Sequence, residues 1–154
     1  MSSPPRPTAE PAPSPVAAAL ATREAAWARR HLGIDKVAWL TTRSPDGRLQ
    51  SSVISYFWDG ETILVYSQPT APKLRNIAQD PAVAFHLSGD AYGDHGLVME
   101  GVAAVDPSVP PGNVHQGFRE KHREPLAHSN MDPAEAAATF SVAIRIRPTR
   151  VRAW

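Results

Sequence analysis

The strongest constraint on the fold is a series of short, β-prone segments separated by tight-turn signals. Residues 36–42, 49–58 and 61–67 are rich in β-branched and aromatic side chains, and Pro45-Asp46-Gly47 and Asp59-Gly60 separate them. Turn signals of this kind join neighbouring antiparallel strands. The sequence therefore predicts an antiparallel meander in this part of the chain.

Further strands are predicted after the meander, with helices only at the periphery. Residues 83–88 and 96–105 form two more β-prone segments, and residues 140–147 alternate apolar and polar side chains as a last strand. The helical patterns predict one helix at residues 16–31, one at 70–79, and one or two surface helices within 113–138.

The order of these elements indicates a mainly β protein. The sequence has no strand–helix alternation typical of a doubly wound sheet, no glycine-rich dinucleotide fingerprint and no Walker loop. We therefore expect an antiparallel β-barrel with a few peripheral helices.

Length and composition limit the domain organisation. A chain of 154 residues can bury one core, so we expect one domain over residues 16–154. Residues 1–15 are rich in Pro, Ser and Ala and offer little to bury, so they are expected to form a disordered tail. The absence of cysteine excludes disulfides, thiolate nucleophiles, iron–sulfur clusters and the usual structural zinc sites, and it favours a cytoplasmic location.

The charge balance argues against two classes of partner. The formal net charge is +1, so the molecule as a whole creates no field strong enough to recruit nucleic acid or an anionic membrane. Neither a membrane span nor a secretory signal is expected, because the apolar stretches are short and no basic region precedes an apolar one at the N-terminus. Any bound anion must therefore be held by local groups.

One such local group is a pair of cations at the opening of the predicted helix 70–79. Lys73 and Arg75 lie there beside backbone N–H groups that lack helical partners, and Ser67 adds a hydroxyl just before the helix. This combination is typical of a phosphate site. The alternative is that Lys73 and Arg75 are solvated charges on a helix end.

The segment 50–57 is a second candidate for a binding surface. Strand alternation sends Ser52 and Ile54 to one face and Ser51 and Val53 to the other. Small polar side chains leave room for a flat ring to lie against the backbone amides. The alternative is a strand whose serines simply face water.

The histidines and the C-terminal arginines suggest less specific roles. His115 and His122 are seven residues apart, but no carboxylate completes a ligand set, so a solvated helix is favoured over a metal site. His86 is expected to serve the barrel or a dimer interface. The arginines of residues 145–152 are interpreted as the outer face of a strand rather than a nucleic-acid site, and Trp154 is expected to cover a cofactor or a dimer seam.

Several motifs follow one another in a recognisable order. In chain order they are Thr41-Thr42, Pro45-Asp46-Gly47, residues 50–57, Asp59-Gly60, Val65-Tyr66-Ser67, Lys73-Leu74-Arg75-Asn76-Ile77, Asp80-Pro81, residues 83–87, residues 98–103 and residues 147–154. This order resembles the pyridoxamine-phosphate-oxidase-like split barrels, particularly the actinobacterial branch that uses the deazaflavin coenzyme F420. The resemblance covers nearly all of the chain after the tail and implies the FMN-binding split β-barrel fold.

The resemblance also implies where a cofactor binds. In the family, a lysine, a strand-end serine and an asparagine region contact the cofactor phosphate and its neighbourhood, which implies Lys73, Ser67 and Asn76, with Arg75 beside them. The family strand that meets the isoalloxazine or deazaflavin ring corresponds here to Ser51, Ser52, Val53 and Ile54.

The function implied is that of an oxidoreductase that transfers a hydride between F420 and a small organic substrate. The deazaflavin is an obligate hydride carrier, so no side chain has to act as a nucleophile, and the sequence nominates no catalytic residue. The family also implies a homodimer whose second chain completes the cofactor cleft. Trp39, Phe57 and Trp58 are the candidates for that seam.

Two alternatives stay open at this point. In the first, the same fold binds FMN and acts as an oxidase or reductase. F420 differs from FMN in its negatively charged lactyl-oligoglutamate tail, and Arg75 or the C-terminal arginines are the candidates to bind that tail. In the second, the protein is not an enzyme and carries a cofactor, haem or another tetrapyrrole, with His86 or His95 as an axial ligand.

Overall fold

Six strands form the centre of the protein in the computed structural model, which describes residues 10–154. All neighbouring strands pair antiparallel in the order β1-β2-β3-β6-β5-β4, and β4 pairs with β1 to close a barrel. This confirms the predicted mainly β, antiparallel barrel. The strands are β1 Val37–Arg43, β2 Leu49–Trp58, β3 Ile63–Ser67, β4 Ala82–His86, β5 Leu97–Val105 and β6 Val142–Ala153.

The helices lie at the periphery, as predicted, but the segment expected to form one or two surface helices forms three short ones. None of those in the described part of the chain has the length and apolar character needed to cross a bilayer. The helices are α1 Pro15–Leu20, α2 Ala26–Ile34, α3 Pro72–Gln79, α4 Gln116–Lys121, α5 Arg123–His128 and α6 Pro133–Thr139.

The predicted meander is present as β1, β2 and β3. Gly47, with φ of 85°, and Gly60, with φ of 98°, occupy the two turns, where a left-handed backbone favours glycine. The pairing sets Trp39 opposite Val53 and Tyr56 opposite Val65. The even-numbered residues of β2 consequently face the barrel interior and the odd-numbered residues face outward.

The barrel interior is filled by apolar side chains from every strand. Tyr56 is fully buried, and its ring meets Phe85 edge-on with the ring centroids 5.0 Å apart. Burial of this apolar surface is the main contribution to folding free energy. The buried cluster also includes Leu40, Ile54, Ile63, Val65, Val83, Leu97, Met99, Ile144 and Ile146.

The N-terminal helix is divided, contrary to the prediction of one helix over residues 16–31. Helix α1 begins after Ser14, whose Oγ accepts the N–H of Ala17, and α2 begins at Ala26. Between them, Thr22 Oγ1 accepts the N–H of Ala25, and such a side-chain bond competes with helical pairing. Residues 1–9 of the expected tail lie outside the described residues, and Pro15 already belongs to α1.

The last strand continues beyond its predicted end at residue 147. The prediction stopped before Pro148 because proline lacks an N–H for the ladder. In the structure, β6 carries a bulge at this point: Pro148 lies opposite Gly101, Arg150 lies opposite Glu100, and Thr149 is the extra residue. The irregular pairing accommodates the proline, and β6 therefore runs on to Ala153.

Gly101 should be essential to this bulge. A Cβ at Gly101 would lie 2.8 Å from the carbonyl oxygen of Arg147, a backbone atom that cannot rotate away. We expect Gly101→Ala to lower the free energy of unfolding by about 1–3 kcal/mol, measured by urea or thermal unfolding. The matched control is Gly33→Ala in α2, where a Cβ would meet no atom within 4 Å and the helix gains up to about 1 kcal/mol. Equal stability of the two variants would contradict this account of the bulge.

Candidate functional site

A cavity in the described structure has a volume of about 810 Å³, which is within the range of small-molecule sites. Strands β2 and β3 and the chain leading into α3 form one side of it, and the segment from Gly112 to Phe140, which contains α4–α6, forms the other. Strands β2 and β3 contribute the outward residues Val53, Ser55 and Tyr66, so the cavity lies on the outside of the barrel wall and borders the core at Ile54.

The eight residues expected to bind a cofactor divide into three groups. Val53, Ile54, Ser67 and Lys73 line the cavity. Arg75 instead lines a neighbouring groove of about 230 Å³, which shares Thr70, Ala71 and Pro72 with the cavity wall. The residues that line neither space are Ser51, Ser52 and Asn76.

Asn76 has a structural position on the buried face of α3. It is fully buried, and its Nδ2 donates to Thr42 Oγ1 at 3.0 Å and to Gln50 Oε1 at 2.6 Å. These bonds join α3 to β1 and β2, so Asn76 fixes the helix that presents Lys73. The Ser51 hydroxyl bonds to Thr41 Oγ1 at 2.7 Å on the outer face of the barrel.

Lys73 brings a positive charge to the start of α3. The residue before the helix, Ala71, offers no side-chain oxygen to the first turn. Pro72 has no N–H and the Leu74 N–H donates to the Ala71 carbonyl at 3.1 Å, so the N–H of Lys73 is the one left available to an anion. Burial lowers the pKa of Lys73 from its ordinary value. Among the described residues, no Asp or Glu lines the cavity. The local potential at this wall is therefore positive.

An aromatic wall connects the two sides of the cavity. The ring of Phe118 in α4 meets the ring of Tyr66 of β3 edge-on, with the two ring centroids 4.7 Å apart. The centroid of the His122 ring lies 4.3 Å from that of Phe118. Tyr66 also donates its hydroxyl proton to the carbonyl of Pro110, and Gly112 lies against its ring. These contacts hold the segment that enters α4 against the barrel.

His122 is buried, and the expectation of a solvated helix at this position is wrong. The residue is 3% exposed, and its Nε2 donates to the carbonyl of Tyr56 at 2.8 Å. Burial, reinforced by the charges of Lys121 and Lys36, lowers the pKa of His122 to about 4. The ring is thus neutral at neutral pH with its proton on Nε2, and Nδ1 has no partner among the described residues. The sequence spacing of Phe118 and His122, four residues apart on one helix face, was the available signal.

Lys121 and Lys36 attach the same helix to the barrel. Lys121 Nζ lies 3.5 Å from the centroid of the Tyr56 ring and donates to the Leu32 carbonyl at 3.4 Å. Burial and the nearby Lys36 charge lower the pKa of Lys121 to about 8. Lys36 Nζ in turn donates to the Lys121 carbonyl at 3.0 Å.

The remaining sequence candidates lie away from the cavity. His86 stacks on Trp39 on the outer barrel face, with the ring centroids 6.3 Å apart. His95 stacks on Trp27 with a centroid distance of 5.8 Å. Trp154 covers Gly96 and donates its indole N–H to the Gly93 carbonyl, and it does not line the cavity.

The C-terminal arginines are also distant from the cavity of their own chain. Arg145 pairs with Asp106 at 2.9 Å, and Arg150 pairs with Glu100 at 3.3 Å. Strand β6 starts beside the cavity residue Phe140, and Arg150 lies roughly 25 Å further along it. Within residues 10–154, no cluster of three or more His, Asp or Glu side chains is arranged to hold a metal ion.

The burial of His122 predicts a pH dependence of stability. The unfolded state binds a proton at an ordinary pKa of 6.5, whereas the folded state binds it only near pH 4, so stability falls as the pH drops from about 6.5 toward 4. The full difference is about 3 kcal/mol. His122→Gln should flatten this part of the profile, measured by urea unfolding at a series of pH values. An unchanged slope in the variant would show that other groups cause the dependence.

Comparisons with known proteins agree with this architecture. Residues 28–154 match the pyridoxamine 5'-phosphate oxidase family. A solved structure named F420 reductase is 27% identical, with a TM-score of 0.65, and the alignment covers 80% of this chain and 94% of that one. A conserved hypothetical protein from Mycobacterium tuberculosis is 26% identical, with a TM-score of 0.64 and coverage of 84% and 82%.

The same barrel occurs in more distant proteins. The heme storage protein HutZ from Vibrio cholerae is 14% identical, with a TM-score of 0.61 and coverage of 85% of this chain and 94% of its own, a likeness that shows the fold alone. No curated protein matches the chain. With most of its length matched, including every strand of the barrel, the chain belongs to the pyridoxamine 5'-phosphate oxidase family.

Proposed function

We propose that the protein is an F420-dependent oxidoreductase that transfers a hydride between the deazaflavin and a small organic substrate in the cavity. One observation carries the proposal: Lys73 and the start of α3 face a cavity whose described lining contains no carboxylate. A phosphate-bearing cofactor is the kind of ligand that such a wall stabilises. Membership of an oxidoreductase family supports the proposal, as does the similarity to an F420 reductase.

The residues present fit such a cofactor. Lys73 and the Ser67 hydroxyl would hold the phosphate, and Val53 and Ile54 would border the ring system. Arg75 lines the adjoining groove and would meet further negative charge on the cofactor tail. The cofactor itself supplies the hydride chemistry.

The protein's own contribution is positioning and exclusion of water. Strands β2 and β3 provide a rigid wall, and apolar side chains of the opposite segment, including Phe118, Leu126 and Phe140, cover the reacting region. His122 is neutral at this wall and is not assigned the role of a proton donor, because burial holds its pKa near 4. We assign no nucleophile or general acid.

FMN binding remains the alternative within the same fold, since the phosphate groups serve both cofactors. F420 is preferred because of the 27% identical F420 reductase and because Arg75 lies beside the cavity. Haem is not preferred, because neither of the two histidines expected as axial ligands, His86 and His95, lines the cavity. The proposal includes a cytoplasmic location.

Removing the Lys73 charge should weaken cofactor binding. A charge-assisted hydrogen bond contributes about 1.5–3 kcal/mol, so we expect Lys73→Ala to raise the Kd for F420 about tenfold to hundredfold. The measurement is a titration of the purified protein with F420, FMN and haem, followed by absorbance or fluorescence. Arg30→Ala, an exposed cation of α2 outside the cavity lining, is the control and should bind as the unmodified protein does.

Two results would contradict the proposal in different ways. Tight FMN binding without F420 binding would reject the deazaflavin and retain the site. Unchanged F420 binding by the Lys73→Ala variant would reject the phosphate site.

We extend the proposal to a homodimer formed through the outer face of β1 and β2. Three apolar residues are neighbours on this face: Val37, Trp39 and Val53, which are 47%, 36% and 53% exposed. A contiguous exposed apolar patch of this kind is typical of a protein–protein interface, whereas single exposed apolar residues are common on any surface. Of the other expected seam residues, Phe57 packs on Gly117 of α4, and Trp58 packs against the core. Trp39 is therefore the seam candidate of the three.

A carboxylate on this face should disrupt the dimer. Burying an unpaired charge costs several kcal/mol, so Val37→Asp should weaken dimerisation about hundredfold or more, measured by light scattering at micromolar concentration. Val114→Asp is the control, because Val114 is 61% exposed but lies outside the β1 and β2 face. A monomeric unmodified protein, or a dimeric Val37→Asp variant, would contradict the assignment.

A further inference from the structure

Helix α4 and the residue that ends it present three side chains to the cavity. Phe118 and Arg119 of the helix and His122 at its C-terminal end all line the cavity, as their spacing allows. The helix is held by the His122 bond to the Tyr56 carbonyl and by Lys121 over the Tyr56 ring. Arg119 therefore extends from a backbone that is fixed on both sides.

Arg119 differs from several other arginines of the molecule. Arg43, Arg48, Arg145 and Arg150 each pair with a carboxylate, but Arg119 forms no ion pair within the described residues. No Asp or Glu joins it in the described cavity lining. Its guanidinium is available to an anion that enters the cavity.

The wall around Arg119 is otherwise largely apolar. The apolar lining comes from α5, α6 and the residues that follow each helix: Pro125, Leu126, Met131, Ala136 and Phe140. Burying apolar ligand surface against them is favourable. Lys73 belongs to the other wall, beside β3 and the start of α3.

We infer that this wall binds a mainly apolar substrate that carries one anionic group, and that Arg119 is the residue that recognises this group. The inference rests on the proposed function, because it gives Lys73 to the cofactor and Arg119 to the substrate. A carboxylate is the matching substrate class, since a guanidinium donates two parallel hydrogen bonds to its oxygens. The apolar wall fixes the rest of the molecule.

The test uses two fluorescent probes that differ by one anionic sulfonate group. Cofactor-free protein is titrated with anilinonaphthalene sulfonate and with the uncharged N-phenylnaphthylamine, which has the same ring skeleton. We expect Arg119→Gln to weaken sulfonate binding tenfold or more and to leave the uncharged probe within twofold. Arg119→Lys, which keeps the charge, should restore part of the affinity.

Arg123→Gln is the matched control, because Arg123 is an exposed arginine of the same segment that does not line the cavity. It should bind both probes as the unmodified protein does. Equal sulfonate affinity of the Arg119→Gln and Arg123→Gln variants would overturn the inference.

Cofactor binding distinguishes this inference from the proposed function. F420 affinity is measured by calorimetry for the same variants, and Arg119→Gln should leave it within twofold. A tenfold loss would assign the guanidinium to the cofactor and overturn the inference while retaining the site. If no variant, nor the unmodified protein, binds F420 or FMN, the proposed function fails, whereas the probe titrations still report on Arg119 independently.

Discussion

Tyr56 is the residue through which the barrel, the N-terminal helices and the cavity wall are joined. Its hydroxyl donates to the Leu32 carbonyl of α2 at 3.0 Å, its ring packs on Phe85, and its own carbonyl accepts from His122. Lys121 lies over the same ring. The hydroxyl and the carbonyl of Tyr56 both have partners in a buried setting, where a lost partner costs about 1–3 kcal/mol. The position of α4 consequently depends on β2, and the shape of the cavity depends on α4.

Strand alternation explains how one strand supports both the core and the site. Ile54 and Tyr56 point into the barrel, so Val53 and Ser55 are left on the outer face beside the cavity. A shift of one residue in the pairing of β2 would exchange the two sets, and burial of Tyr56 prevents it. The rigidity of the core is thus transmitted directly to the cavity wall.

The strands were predictable because their signals are local. Gly47 and Gly60 mark the turns, and the period-two pattern of β2 gave its ends correctly. The roles of His122 and Arg119 were not predictable in this way. Residues 113–138 are rich in alanine and charge, and the partner of His122 is the Tyr56 carbonyl, sixty-six positions earlier in the chain. Asn76 was predicted from the family resemblance to bind the cofactor, whereas in the fold it bonds inward to Thr42 and Gln50 and does not line the cavity.

The protonation state of the cavity wall follows from the same buried contacts. Lys36, Lys121 and His122 lie close together, and a third positive charge among them would be strongly repelled. Burial and this repulsion keep His122 neutral, which leaves the cationic groups of the cavity at Lys73 and Arg119. These two side chains come from different elements, α3 and α4, and the aromatic contacts of Phe118 with Tyr66 and His122 join the barrel side to α4. A cavity built in this way offers two anion-binding positions that can be altered one at a time.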